Sequence, residues 1–346
     1  MLGVAIKAHE EEEAHPYARA LQRFTEILVH KMFSPWLWPE AVFALTSLGA
    51  EMRECRSVMQ SFVRSVVQER KAALLKSPDQ LLQEKPPSPT SVRSTRHALL
   101  DLLLKFHLQG LLTEEEVMEE VNTFTFAGHD TVGISIAFTL FCLGHHPAVQ
   151  ERLVREIDDV LGPSGGGEDV TIKAAQVKKL KYLEAVIKES LRLYPPGPTF
   201  GRRVGQDVEL NGYHVPAGTD VWLNVKALHL DPRLYPDPQS FDPDRFLDDE
   251  GPPAFAFAAF SLGPRSCIGS RFALVEEMIL LAHVLRRFTV RSLTPAAELV
   301  LNFEIILRCR TPMCLQFERR SSSPIPRGSS GSTVSPLALH ALSRGS

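Results

Sequence analysis

The sequence predicts a mainly α protein, a helical bundle with a long central helix and small β regions, and three observations predict it. Helical periodicity runs through several long segments, the longest free of proline from Thr113 to Pro147. Extended patterns are few and short, grouped between Val208 and Leu223 and again from Phe288 onward. A single cysteine, Cys267, stands in a glycine-bounded loop that opens directly onto an amphipathic run, Phe272 to Leu285. With 346 residues and 44% hydrophobic content the chain can bury a large core, as one large domain or two ordinary ones.

Composition narrows the function classes. A net charge of −3 argues neither for nucleic acid nor for an acidic substrate. The cysteines (Cys55, Cys142, Cys267, Cys309, Cys314) are odd in number and form no CxxC pair, so neither a disulfide framework nor a zinc site is expected, and a reducing compartment fits. The histidines form no HExxH pattern; His145-His146 mark a helix end. No apolar run reaches the roughly 18 residues of a membrane span. The nearest approach, Thr131 to Leu143, contains Thr and Ser and reads as a buried helix. The opening Met1 to Lys7 is too short for a signal peptide core, and as written the chain is expected to carry no membrane anchor.

The first helix is expected over Glu10 to Lys31, with Tyr17, Leu21, Phe24, Ile27 and Leu28 on one face. Met32 to Pro39 then concentrates two tryptophans between two prolines. It reads either as a hydrophobic loop packed on the core or as a surface that dips into a membrane interface, where Trp is favoured. A second helix is expected from Glu40 to Lys76, bent near Gly49, and a polar, proline-rich loop from Ser77 to Ser94. Arg96 to Leu108 is a short amphipathic helix.

Thr113 and Glu116 form a capping box, and the helix they start is roughly 33 residues, or ~50 Å, long. In its middle lies Ala127-Gly128-His129-Asp130-Thr131. Glycine costs ~1 kcal/mol relative to alanine in a helix interior, so Gly128 calls for a reason. A Thr hydroxyl can bond back to a carbonyl and bend the helix, which would let it open at Asp130-Thr131. The plain alternative is a packing glycine beside a capping pair.

Pro147 begins the next helix and Gly162 ends it. The glycine-rich stretch Gly162 to Asp169 lacks the order and the preceding strand of a phosphate cradle. A helix follows from about Lys178 to Leu193, carrying Glu189 and Arg192 on one face. Such a pair is by default a surface ion pair of little worth. Its apolar neighbours predict partial burial here, and a further partner for the guanidinium fork. Short strands are expected at Val208–Leu210, Tyr213–Val215 and Val221–Leu223, then an Asp- and Pro-rich meander, then closing strands at Phe288–Arg291, Glu304–Leu307 and Met313–Phe317. From Arg320 the tail is Ser-, Pro- and Gly-rich and expected to be disordered.

The loop Phe260 to Gly269 carries the most chemistry. A sulfur just ahead of a helix gains from unpaired amide N–H groups and the positive end of the helix dipole. Gly263 and Gly269 let the backbone approach a flat ligand, and Arg265 could reach an acidic group on that ligand's edge. A lone cysteine in a loop is otherwise a buried or idle thiol.

Phe260, Gly263, Arg265, Cys267 and Gly269 occupy every fixed position of Phe-x-x-Gly-x-Arg-x-Cys-x-Gly. In this the chain resembles the haem-binding signature of the cytochrome P450 family. Ser34 to Leu37, Leu45 to Gly49 and Phe124 to Thr131 look like the family 4 branch, which includes fatty-acid omega-hydroxylases. The resemblance implies haem b with Cys267 as axial iron ligand and a monooxygenase that inserts one oxygen atom from O2 into a lipid or fatty acid. It implies that Ala127 and Gly128 leave room for dioxygen and that Asp130 and Thr131 relay protons. It implies that Arg202, with Arg203 the weaker candidate, serves a haem propionate. It implies that Glu189 and Arg192 join Arg245, in Pro243 to Phe246, to brace the pocket. It further implies electrons from NADPH-cytochrome P450 reductase, a small lipophilic substrate, no nucleic acid, membrane contact near Met32–Trp38, and a place on the cytosolic face of the endoplasmic reticulum membrane.

The match departs from the pattern in two places. Many members of that branch carry a glutamate, which can be esterified to haem, where this chain has Ala127; haem is therefore expected to be non-covalent apart from the thiolate–iron bond. The chain also begins near the family's middle helices, which implies a member missing the N-terminal third: a partial domain over residues 1–319, followed by the tail 320–346. Alternative functions are an inactive truncated remnant, or a haem-thiolate isomerase or peroxygenase. Asp130-Thr131 speaks against the latter pair, since proton relay matters most where dioxygen is cleaved.

Overall fold

In the computed structural model, which describes residues 16–76, 98–162, 171–247, 251–253 and 255–320, helices carry most of the chain. Arg320, the first residue of the expected disordered tail, is held by its N–H to the Arg287 carbonyl at 2.9 Å; the rest of the tail, like Glu10 to His15 and the loop from Ser77, lies outside the described residues. The chain divides into two compact units, residues 1–129 and 130–346.

In the first unit α1 (Pro16–Met32) packs along α3 (Ser47–Lys76), with α4 (Leu99–Leu108) and the opening turns of α5 (Glu114–His145) beside them. Tyr17 and Leu21 meet Val63, Val66 and Val67 of α3, Leu100 and Leu104 of α4, and Val117 and Val121 of α5. Full burial of a Val or Leu is worth about 1.5–3 kcal/mol, so this cluster outweighs any exposed ion pair on the same helices. Arg70 grips Asp101 with two bonds of 2.6 and 2.8 Å, and Lys71 holds Glu114 at 2.8 Å.

The expected bend at Gly49 is instead a break two residues before α3, between α2 (Glu40–Ala44) and Ser47. Thr46 causes it: its hydroxyl donates to the Phe43 carbonyl at 2.7 Å and accepts from the Gly49 N–H at 3.1 Å, capping the new helix. Gly49 is there for closeness. A Cβ at that position would stand 2.1 Å from the Phe43 carbonyl oxygen.

The capping box on α5 forms as read: Thr113 N–H donates to Glu116 Oε2 at 2.8 Å, and Glu116 N–H donates to Thr113 Oγ1 at 3.2 Å. The helix stays continuous through Gly128 and passes from the first unit into the second. By length and composition alone it could cross a membrane. Phe138 and Leu140 to Leu143 are buried in the second unit's core.

That core gathers α6 (Pro147–Leu161), α8 (Lys181–Leu193) and α10 (Ser270–Arg287) around the second half of α5, with the turn α7 (Ala174–Val177) at its edge. The β content is four antiparallel pairs. β1 (Thr199–Arg203) pairs β4 (Asp220–Asn224), and β2 (Val208–Leu210) pairs β3 (Tyr213–Val215) across Asn211-Gly212, both at positive φ. The short helix α9 (Val225–His229) follows β4 directly. β5 (Phe288–Ser292) pairs β8 (Leu315–Arg319), and β6 (Leu301–Phe303) pairs β7 (Leu307–Cys309). The strand expected at Glu304–Leu307 is therefore wrong: Glu304 to Ile306 make the turn of the β6–β7 hairpin, where Asn302 and Glu304 join side chains at 2.6 Å. β1 had no sequence signal, because Gly201 and two arginines hide its alternation.

Candidate functional site

Two bends shape the Cys267 loop. Ser261 and Gly263 both take positive φ, 58° and 78°, a region costly for side-chain-bearing residues. The turn then closes, with Cys267 N–H donating to the Phe260 carbonyl at 2.8 Å. Cys267 is exposed and its thiol is free, two residues ahead of the Gly269 cap of α10. A Cβ on Gly269 would lie 3.8 Å from the Cys267 sulfur, so the cap and the sulfur are neighbours. Arg265 is exposed on the same turn.

Arg202 comes to this loop from β1. Its Nη2 donates to Ser261 Oγ at 3.0 Å and its Nη1 to the Gly201 carbonyl at 2.8 Å. Arg203, the next residue and so on the opposite face of the strand, pairs instead with Asp220 across the sheet by two bonds of 2.9 Å. The two arginines are thus separated by strand alternation, with Arg202 the one turned to the cysteine loop.

Glu189, Arg192 and Arg245 also come together. Glu189 and Arg192 are fully buried and joined by two bonds of 2.7 Å. All five N–H donors of Arg192 are used: Nε and one on Nη2 to Glu189, two on Nη1 to the carbonyls of His229 and Pro238, and the second on Nη2 to that of Ser240. Glu189 Oε1 accepts the Asp242 N–H at 2.9 Å and stands 3.6 Å from Arg245 Nε, an ion-pair distance too long for a hydrogen bond. Arg245 Nη2 donates to the Asp237 carbonyl at 3.0 Å.

His229 links this cluster to the loop, a residue that sequence reasoning missed. Its ring is fully buried and stacked on Phe257 at 5.4 Å. Nε2 accepts the Ala258 N–H at 2.9 Å, so Nδ1 carries the proton and donates to the Arg192 carbonyl at 3.1 Å. Burial pulls its pKa down to about 4, which keeps the ring neutral and this tautomer in place. No sequence pattern marks a histidine as a bridge between two backbone groups distant in the chain.

Asp130 and Thr131 are half-buried on α5, one turn after Ala127 and Gly128. Asp130 Oδ2 accepts from Arg308 Nη2 of β7 at 2.6 Å, and Arg308 Nε lies 3.6 Å from Glu304. Arg308 too was invisible from the sequence, being 178 residues away. One further acid meets α5 at Ser135, five residues beyond Asp130. Glu277 of α10 is buried and accepts from Ser135 Oγ, or donates to it, at 2.8 Å; burial raises its pKa to about 8.

The residues fit a haem in donor chemistry: a free thiol at a helix start, backbone bent away from it by Gly263, and guanidinium groups at Arg202 and Arg265 suited to carboxylates.

The profile of the family described as Cytochrome P450 matches residues 1–308. The chain is 36% identical over 325 residues to Cytochrome P450 4V2 of Homo sapiens, covering 93% of this chain and 61% of the relative. It is 36% identical over 323 residues to Cytochrome P450 4c21 of Blattella germanica, covering 92% and 63%. With Cytochrome P450 4c3 of Drosophila melanogaster it shares 36% over 314 residues, covering 89% and 58%. The chain thus spans about three-fifths of the length of these relatives.

Proposed function

The chain belongs to the cytochrome P450 family, whose members hold haem b through a cysteine thiolate, and on that premise we propose that it is the haem-carrying part of a monooxygenase acting on a small lipophilic substrate, a fatty acid or similar lipid. The observation that carries this reading is the Cys267 loop: a free thiol at the start of α10, with Arg202 held against the same loop by Ser261.

Haem so bound supplies the activation of dioxygen and the oxygenation of an unactivated C–H bond. The chain's own residues then have distinct tasks. Cys267 would hold the iron through its thiolate. Arg202 and Arg265 would hold the haem's carboxylates, and Phe260, Gly263 and Gly269 shape the loop that would receive it. Ala127 and Gly128 keep the surface of α5 bare, and without a carboxylate at Ala127 no ester to haem forms. Asp130 and Thr131 move protons, Asp130 exchanging with solvent and Thr131 holding a water. Glu189, Arg192 and Arg245 brace the loop and take no part in the chemistry.

Electrons come from NADPH-cytochrome P450 reductase at the endoplasmic reticulum membrane. Phe33, Trp36 and Trp38, at 70%, 68% and 61% exposure, support contact with that membrane, because Trp is favoured at its interface.

The test is spectroscopic. The chain is supplied with haem, reduced and exposed to carbon monoxide. A Soret band in the strongly red-shifted thiolate position is expected, and Cys267→Ala abolishes it. Absence of haem uptake would overturn the reading for this chain. Addition of reductase and a fatty acid, with hydroxylated product followed, then tests the reaction and separates it from isomerase or peroxygenase chemistry.

A further inference from the structure

One side of α10 faces outward with apolar side chains. Phe272, Val275 and Leu280 are 49%, 43% and 41% exposed, and with Ile279 they line a groove of about 560 Å³. Their spacings of three and four put them on one side of the helix, opposite Leu281 and Leu285, which are buried in the core of the second unit. A contiguous apolar strip of this kind marks a surface that another molecule covers. Two polar groups stand in it, Glu276 and His283, and among the described residues neither makes a hydrogen bond or an ion pair.

The strip runs along α10 from Phe272 to Arg287, so its middle falls between Ile279 and Leu280. A second α10 laid on it antiparallel, with a two-fold axis at that midpoint, matches the strip to itself. Ile279 of each copy then faces Leu280 of the other, and Val275 faces Val284. Glu276 faces His283, whose ring N–H can donate to the carboxylate. Phe272 faces Arg287, a guanidinium over a ring. The two-fold axis makes every pair twice. Antiparallel helices also bring each positive N-terminus beside a negative C-terminus. A parallel pair would instead oppose Glu276 to Glu276 and His283 to His283.

We propose that this side of α10 docks a second copy of the chain as an antiparallel two-fold dimer, held at Ile279 and Leu280 and set in register by Glu276 and His283. The inference is independent of the haem reading. α10 has 18 residues and is ~27 Å long, so one of its sides covers less than the ~800 Å² that a stable interface takes from each partner. The dimer is therefore weak, dissociating in the micromolar range.

Sedimentation equilibrium on the full chain, from about 1 to about 100 µM, reads the association directly. The mass is expected to rise from that of one chain to that of two. Leu280→Lys sets two ammonium groups against apolar partners beside the axis and should keep the chain monomeric throughout. Glu276→Lys and His283→Glu should each weaken the dimer about tenfold, since each lost pair is lost twice. Combined, they put opposite charges across the axis again and should bring the affinity back to within about threefold of wild type. Should Leu280→Lys fail to fold, the charge exchange decides alone. A chain that stays monomeric to about 100 µM leaves this surface to a different partner or to a further segment of a longer chain, and overturns the proposal. A dimer that persists in Leu280→Lys, or one that the double variant fails to restore, overturns it as well.

Discussion

Arg308 donates to Asp130 at 2.6 Å, tying the second half of α5 to the β6–β7 hairpin through the carboxylate proposed above to relay protons. The two side chains are 25% and 16% exposed, so the pair is neither a surface ornament nor a fully desolvated bridge. On the proposed function Asp130 would have two duties, holding β7 and exchanging protons, and the first would restrain the second.

A double-mutant cycle separates the two. Arg308→Met leaves Asp130 half-buried without its partner and should cost about 1–3 kcal/mol in urea unfolding. Asp130→Asn should cost less than the sum when combined with Arg308→Met, with a coupling of about 0.5–3 kcal/mol. Additive losses would show that the contact contributes nothing of its own.

Arg192→Lys is the sharpest test of the buried cluster. Lysine keeps the charge and offers three donors where Arg192 uses five, and it cannot form the two parallel bonds to Glu189. Glu189 stays fully buried with part of its charge unmatched, and three backbone carbonyls compete for what remains. The expected loss is about 3–5 kcal/mol, close to that of Arg192→Ala, by chemical denaturation. A loss below about 1 kcal/mol would mean that charge alone, and not the planar fork, holds the cluster.

These contacts also show what the sequence could and could not reveal. The helices were legible because each needs one apolar face, and periods of three and four survive in a single chain: Tyr17 with Leu21, Val63 with Val66 and Val67. The start of α5 was legible to the residue because a capping box is local. The pairing of Glu189 with Arg192 follows from i, i+3 spacing, whereas Arg308, His229 and Glu277 owe their places to contacts over 178, 37 and 142 residues, which no local pattern encodes. The Glu40–Lys76 segment was misdivided because glycine is the louder breaker in sequence. The Thr46 side chain, by capping, was the effective one.

Two fully buried groups contribute to the pH dependence of stability with opposite signs. The folded-state pKa of His229, about 4, lies below its ordinary 6.5, so its contribution is present above 6.5 and lost as pH falls toward 4. The pKa of Glu277, about 8, lies above its ordinary 4.5, so its contribution is full below 4.5 and lost as pH rises toward 8. Between 4.5 and 6.5 the two oppose each other. From 6.5 to 8 deprotonation of Glu277 makes the wild-type chain lose stability, on the order of 1–2 kcal/mol, as measured by urea midpoints in steps of pH, before Lys226, whose pKa burial pulls down to about 8, adds stability at higher pH. Glu277→Gln should flatten this limb and leave the acid limb, because the amide has no proton to lose and His229 still titrates. His229→Gln should do the reverse. An alkaline limb unchanged in Glu277→Gln would place its origin in another group.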